Sequence, residues 1–118
     1  MSYTVNGGAI LTECISLSDD TPTDLMTASG KTLIVALYVA ETGGGTPSVT
    51  IEKFSGAMSC HLLKDKALQA GELMLLDILI NFKTGDILRV TGSPGGSMDV
   101  WVSYLAGDKT ALGSPGWR

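Results

Sequence analysis

LLKDKALQAGELMLLDILINFKTGDILRVT, residues 62–91, is the stretch whose reading decides the fold. It breaks into three extended pieces at two turn signals, Ala70-Gly71 and Lys83-Thr84-Gly85-Asp86. Between the signals Met74, Leu76, Ile78 and Ile80 recur at every second position, and Leu88 and Val90 carry the alternation past the second turn. Successive side chains of a strand point to opposite faces, so this spacing describes half-buried strands and predicts an antiparallel three-stranded unit. A helix is the rival reading, because LMLLDILI is apolar almost throughout. Its length of about eight residues, the flanking glycines and the strand-like LRVT beyond favour the strand.

The same alternation extends outward in both directions. In TLIVALYVAE, residues 32–41, Leu33, Val35, Leu37 and Val39 alternate with Ile34, Ala36, Tyr38 and Ala40. Both faces are apolar, which predicts a central strand covered on both sides. In SVTIEKF, residues 48–54, Val49 and Ile51 point inward while Thr50 and Glu52 point out. A further strand over residues 57–63 holds Cys60 and His61. The last strand, residues 98–106, puts Val100, Val102 and Tyr104 on one face and Asp99, Trp101, Ser103 and Leu105 on the other. A first strand over residues 9–17 carries Leu11, Ile15 and Leu17, interrupted by Glu13, with Tyr3-Thr4-Val5 as a short edge ahead of it. Short alternating strands separated by Gly-bearing turns predict an all-β chain, an antiparallel β-sandwich of about eight strands, jelly-roll or Ig-like. Its expected core is Val35, Leu37, Val39, Val49, Ile51, Leu76, Ile78, Leu88, Val90, Val100 and Val102.

A chain of 118 residues makes one such domain, expected over residues 1–109, with an aperiodic C-terminal arm at 110–118. Charged residues are only 17% of the chain against 44% apolar, which implies a surface partly covered by other chains. A net charge of −4 without a Lys/Arg cluster lacks the basic footprint of a nucleic-acid binder. No apolar run approaches the roughly 18 residues of a membrane span, and the N-terminus has no basic segment followed by an apolar core, so synthesis in the cytoplasm is expected.

The chemistry-bearing residues are few and scattered. Cys14 and Cys60 lack metal-ligand spacing and read as two buried thiols of a reducing compartment. His61, the single histidine, neighbours Cys60, but adjacent strand residues face opposite ways, so it reads as a surface or edge residue; a Cys14–His61 pair across strands lacks an orienting group. Asp19, Asp20 and Asp24 lie in a Thr/Pro turn without calcium-loop spacing. Thr42-Gly43-Gly44-Gly45-Thr46-Pro47 is followed by neither a Gly-Lys-Ser/Thr nor a helix, so it reads as a flexible loop and not a phosphate cradle. No catalytic residue, cofactor or metal is expected.

With these strands in order, the chain resembles a known group. GKTLIVALYVAE (30–41), SVTIEKF (48–54), LLKDKALQAGELMLLD (62–77), GDILRVT (85–91) and MDVWVSYL (98–105) succeed one another as in small β-sandwich virion structural proteins of tailed bacteriophages and phage-like particles. In those proteins a strand ending in Y-V-A-N or similar, an LLKD segment, an A-G turn, a G-D-x-L-x-V strand and a closing V-D-V-x-V-S-x-x-E strand recur in this order. The likeness spans residues 30–105, and the closing strand here runs into Ala106-Gly107 without the acidic ending of that pattern. The resemblance implies a shell or attachment part without an active site, namely a head decoration protein, a vertex or head-spike base, or a neck or tail component. It also implies partners: further copies in a symmetric homo-oligomer, and the major capsid or other virion proteins.

Trp101, Trp117 and Arg118 are the expected partner contacts. Trp101 stands on the mixed face of the last strand, and Trp117 brings about 150–250 Å² of apolar surface to the arm. A carbohydrate-binding module is the alternative from another class, with Trp101 or Trp117 as the stacking residue; the lack of a second aromatic near Trp101 in the sequence favours packing.

Overall fold

The computed structural model describes residues 3–5 and 8–106, so Trp117, Arg118 and the rest of the expected arm lie outside the described residues. The strands are β1 (Tyr3–Val5), β2 (Gly8–Leu17), β3 (Thr23–Thr27), β4 (Thr32–Glu41), β5 (Ser48–Ser55), β6 (Met58–Ala67), β7 (Leu73–Leu76), β8 (Ile80–Phe82), β9 (Ile87–Thr91) and β10 (Met98–Ala106). They form two antiparallel sheets. The larger has the order β1-β2-β10-β4-β7, with β8 also on β4; the smaller has the order β3-β9-β5-β6. Because β7 pairs Leu37–Ala40 and β8 pairs Thr32–Ile34 of the same strand, the two are halves of one edge interrupted at residues 77–79.

This order decides between the two sandwich topologies. In an Ig-like fold consecutive strands commonly pair as hairpins within a sheet. Among the described strands only β1-β2 and β5-β6 do so; β7 and β8 stay on the same edge of β4, and the other connections carry the chain from one sheet to the other. Four strands face four in the orders β2-β10-β4-β7/β8 and β3-β9-β5-β6, which is a jelly roll.

The expectation for residues 62–91 is half corrected by this topology. Both turns fall where the sequence puts them, with Gly71 at φ 73° and Gly85 at φ 91°, conformations a Cβ disfavours. The strands on either side of each turn do not pair. β6 pairs β5, β7 and β8 pair β4, and β9 lies between β3 and β5. The reason is the pair of large apolar residues at the crossings: Leu68 and Phe82 are both buried in the core between the sheets.

The interior follows the alternation. Leu37, Val39, Val49, Ile51, Leu88, Val90, Val100 and Val102 are all buried, while Leu76 and Ile78 are half-buried and pack against them. Val35 is the exception, and Ile34 takes its place in the core. Ser103 pairs with Ala36 but Tyr104 pairs with Ile34, so a β-bulge at Val35 reverses the inward parity of β4. The thiols also depart from expectation, since Cys14 and Cys60 are free and exposed. Cys14 is on the outward face of β2, and Cys60 is on the edge strand β6 of the other sheet.

Candidate interaction face

The parity of β10 that buries Val100 and Val102 turns Trp101 outward, where it is 43% exposed. Registry then builds a row across four strands: Cys14 of β2 lies beside Trp101, Trp101 beside Tyr38 of β4, and Tyr38 beside Leu75 of β7. Leu73, Tyr38 and Trp101 line a shallow hollow of about 330 Å³. Leu73, Leu75 and Leu79 are 64%, 54% and 73% exposed, so among the described residues four of the five exposed large hydrophobic side chains belong to this sheet and its β7/β8 edge. The other half of the face is polar: Ser16 donates to Asp99 at 2.6 Å, and the Thr12 and Ser103 hydroxyls are 3.4 Å apart. An apolar centre beside a polar margin is the anatomy of a protein interface.

The smaller sheet's outer face is built differently. Arg89 donates to Asp24 at 2.7 Å and its guanidinium stacks 4.3 Å from the Phe54 ring centroid. His61 Nε2 lies 3.6 Å from Glu52 Oε2. These groups satisfy one another in water, and Met58, at the start of edge strand β6, is the one large hydrophobic residue exposed on this sheet among the described residues, so most of the exposed apolar surface belongs to the larger sheet. The expectation that β4 is covered on both sides is therefore not met within the chain: among the described residues no element overlies Tyr38.

One end of the sandwich is a tied cluster of loops. The buried Glu41 carboxylate accepts N–H bonds from Gly71 (2.8 Å), Gly43 (2.8 Å), Gly44 (3.0 Å) and Gly45 (3.1 Å). Its pKa is held below the usual range, chiefly by the Gly71 N–H; burial opposes this, and the Gly43, Gly44 and Gly45 N–H groups add to it. The Gly-rich loop is thus organised around the protein's own anion, a correction to its reading as flexible. The β9–β10 loop joins through Thr42 N–H to the Ser97 carbonyl at 3.0 Å and Ser48 N–H to Ser93 Oγ at 3.1 Å. Space there is tight: a Cβ on Gly96 would stand 2.6 Å from Pro47 Cβ.

At the opposite turn Asp86 is buried, taking the Lys83 N–H at 2.9 Å and the Ser55 hydroxyl at 2.9 Å, with Lys53 Nζ at 3.6 Å. Burial alone pushes its pKa up, but the Lys83 N–H, Ser55 and the Lys53 and Lys83 charges outweigh that and lower it. The Gly-Asp of GDILRVT is accordingly a turn-closing device.

The remaining candidate residues do not converge. Asp19 accepts the Thr21 N–H at 2.9 Å in a local turn, and Asp24 is committed to Arg89. Among the described residues no three His, Cys, Asp or Glu side chains form a metal-binding group. Cys14 and His61 belong to different sheets. Sequence reasoning singled out Trp101 and missed Tyr38, Leu73, Leu75 and Leu79 as its companions. The signal was present in LIVALYVA and LMLLDILI, which have no polar face. Tyr38 is also the second aromatic that the linear sequence does not place near Trp101.

No family model matches the chain, and no curated protein matches it. Solved structures share its fold. A pentameric capsid protein isolated from metagenomic phage sequences superposes with a TM-score of 0.56 at 13% identity, over 85% of this chain and 64% of that one. The infectious bursal disease virus VP2 subviral particle gives 0.52 at 14% identity, over 92% of this chain and 34% of that one. The nucleoplasmin-like N-terminal domain of Drosophila FKBP39 gives 0.51 at 12% identity, over 88% and 94%. The chain thus spans about a third of the VP2 chain and under two thirds of the phage capsid protein.

Proposed function

We propose that this chain is a non-enzymatic structural protein of a phage virion, which self-associates and attaches to the capsid or vertex surface as a decoration or head-spike-base part. The observation that carries the reading is the apolar outer face around Tyr38, Leu73, Leu75 and Trp101, left bare on a jelly roll whose smaller sheet exposes a single large hydrophobic residue, Met58, among the described residues. Of the similar structures, one is by name a pentameric capsid protein and another a viral subviral particle, which supports assembly without fixing symmetry. A neck or tail position in the same virion uses the same face. Trp101 is the central contact in this proposal, and Trp117 and Arg118 of the arm add a second one on a neighbouring subunit or capsid protein. The chain is made in the host cytoplasm and works in the virion.

A carbohydrate-binding reading gains one point from the Trp101–Tyr38 pair, since sugars stack on exposed aromatic rings. It loses more from Leu73, which completes the hollow, because a sugar needs hydrogen-bond partners around its rim. Sedimentation over a range of concentrations, run on the wild type and on Trp101→Glu, separates the two. Assembly that weakens in the variant is the expected result. A stable monomer that retains a sugar on a glycan array overturns it.

A further inference from the structure

The β7/β8 edge differs from both edges of the smaller sheet, β6 and β3, in a way that points to its occupant. An exposed strand edge invites pairing with another chain, and proteins blunt such edges with charges, prolines and bulges. β6 is blunted in this way: Lys64, Asp65 and Lys66 follow one another, Asp65 has φ 48°, and the register with β5 shifts beside it. β3 follows Pro22 and carries the Asp24–Arg89 pair. Residues 73–82, LMLLDILINF, have no lysine, proline or glycine and one charge, Asp77. Leu79, in the interruption between β7 and β8, is the most exposed large hydrophobic side chain among the described residues at 73%.

Two residues further on lies a complementary feature. Lys31, Thr32, Leu33, Asn81, Phe82, Lys83 and Leu105 line a mainly apolar groove of about 330 Å³ with the two lysines exposed. The edge therefore holds an apolar knob beside a carboxylate and, next to it, an apolar groove beside two ammonium groups. We infer that this edge is a twofold self-docking site whose occupant is the same edge of a second copy of the chain. The inference rests on the self-association proposed above and names its contact.

Charge complementarity between Asp77 and Lys83 sets the register. When two identical edges approach antiparallel about a twofold axis at Ile80, residues equally far on either side of it come opposite each other. Asp77 then faces Lys83 of the second copy, three positions from the axis, and Leu79 faces Asn81, one position from it, at the mouth of the groove. Each contact occurs twice, as an isologous interface requires. At roughly 3.3 Å per residue the Asp77–Lys83 pairs sit about 10 Å from the axis, outside the apolar centre, where charge pairs set register.

Sedimentation equilibrium of the full chain tests this, with circular dichroism and urea midpoints as folding controls. All three altered side chains are exposed, so Leu79→Asp and Asp77→Lys are expected to retain native stability, while Lys83→Asp removes a charge that favours the buried Asp86 carboxylate and is expected to stay folded with a lowered urea midpoint. Leu79→Asp is expected to weaken the association by about a hundredfold or more. Asp77→Lys alone sets lysine against Lys83, and Lys83→Asp alone sets aspartate against Asp77, so each is expected to weaken it too. Mixing the two single variants restores both opposite-charge pairs, and a heterodimer is expected where neither homodimer forms. A wild type that assembles while Leu79→Asp assembles equally well, or a mixture that stays dissociated, overturns this contact and leaves the proposed self-association standing. Assembly that is lost on deleting residues 111–118 but kept in Leu79→Asp gives the groove to the chain's own arm and also overturns it. A wild type that stays monomeric at every concentration overturns both readings.

Discussion

Leu37 and Leu75 lie on adjacent strands with opposite exposure, so truncating each to alanine tests which face of the large sheet is the core. Leu37 is 0% exposed and sits between Val102 of β10 and Leu76 of β7. Leu→Ala removes about three methylene equivalents at about 0.8 kcal/mol each, or about 2.4 kcal/mol of transfer energy. A residual cavity of about 50 Å³ adds about 1.2 kcal/mol at about 24 cal/mol per Å³, for a total of about 3.6 kcal/mol. Leu75 is 54% exposed, and it leaves no cavity when cut back because its outward side is open. Its transfer loss is at most about half, near 1 kcal/mol. With a urea m-value of about 2 kcal/mol per M, the midpoints fall by about 1.8 M for Leu37→Ala and about 0.5 M for Leu75→Ala. The assay is urea unfolding by circular dichroism at a concentration low enough to keep the chain monomeric. Equal shifts, or a larger one for Leu75→Ala, would refute the assignment of inner and outer faces. At high concentration the order reverses in a different observable, since Leu75→Ala is expected to impair assembly.

Other consequences follow from single groups. Glu41 has a folded pKa below its unfolded value, so its stabilisation is full above about pH 4.5 and is lost as pH falls through the folded value. Thermal melts are expected to put Glu41→Gln below wild type at pH 7, with the gap narrowing toward pH 3; a gap constant over that window rules out the loop-tying role. Cys14 and Cys60 are both exposed and are expected to react with a disulfide reagent in the native monomer. On assembly Cys14, beside Trp101, becomes protected while Cys60 stays reactive, and equal protection of both thiols would contradict the choice of face. Tyr104, with its hydroxyl donating to Glu13 at 3.1 Å, has its pKa pushed up to about 12 by burial and by that carboxylate. Folded pKa above unfolded means that this group's contribution is full below about pH 10 and is lost as pH rises toward 12. Ultraviolet titration is expected to show a late tyrosinate step that Tyr104→Phe removes, and an unchanged titration curve in the variant refutes the pairing.

The strands, their inward faces and the turn positions were legible in the sequence because each depends on local chemistry. Alternation at Val49 and Ile51 or at Val100 and Val102 states a period of two, and the glycines at 71 and 85 supply the positive φ their turns need. The charge scarcity reads as a surface partly covered by other chains, and the two-sided apolar pattern of β4 as burial on both sides, although no element overlies the outer face at Tyr38 among the described residues. Trp101 was visible as a candidate for that face; Tyr38, Leu73 and Leu75 were not tied to it, because they are distant along the chain.

Tertiary structure alone decided the partners. A strand's period says which side is buried and nothing about which neighbour its backbone bonds, so LLKDKALQAGELMLLDILINFKTGDILRVT reads as one hairpin unit although its pieces alternate between two sheets. That choice belongs to Leu68 and Phe82, whose burial between the sheets depends on residues from strands far away in sequence. The bulge at Val35 is likewise a property of two strands in register, invisible in either one. Glu41 reads as an ordinary polar strand end until folding brings Gly71 beside the Gly43–Gly45 loop, and only then do four N–H groups converge on its carboxylate.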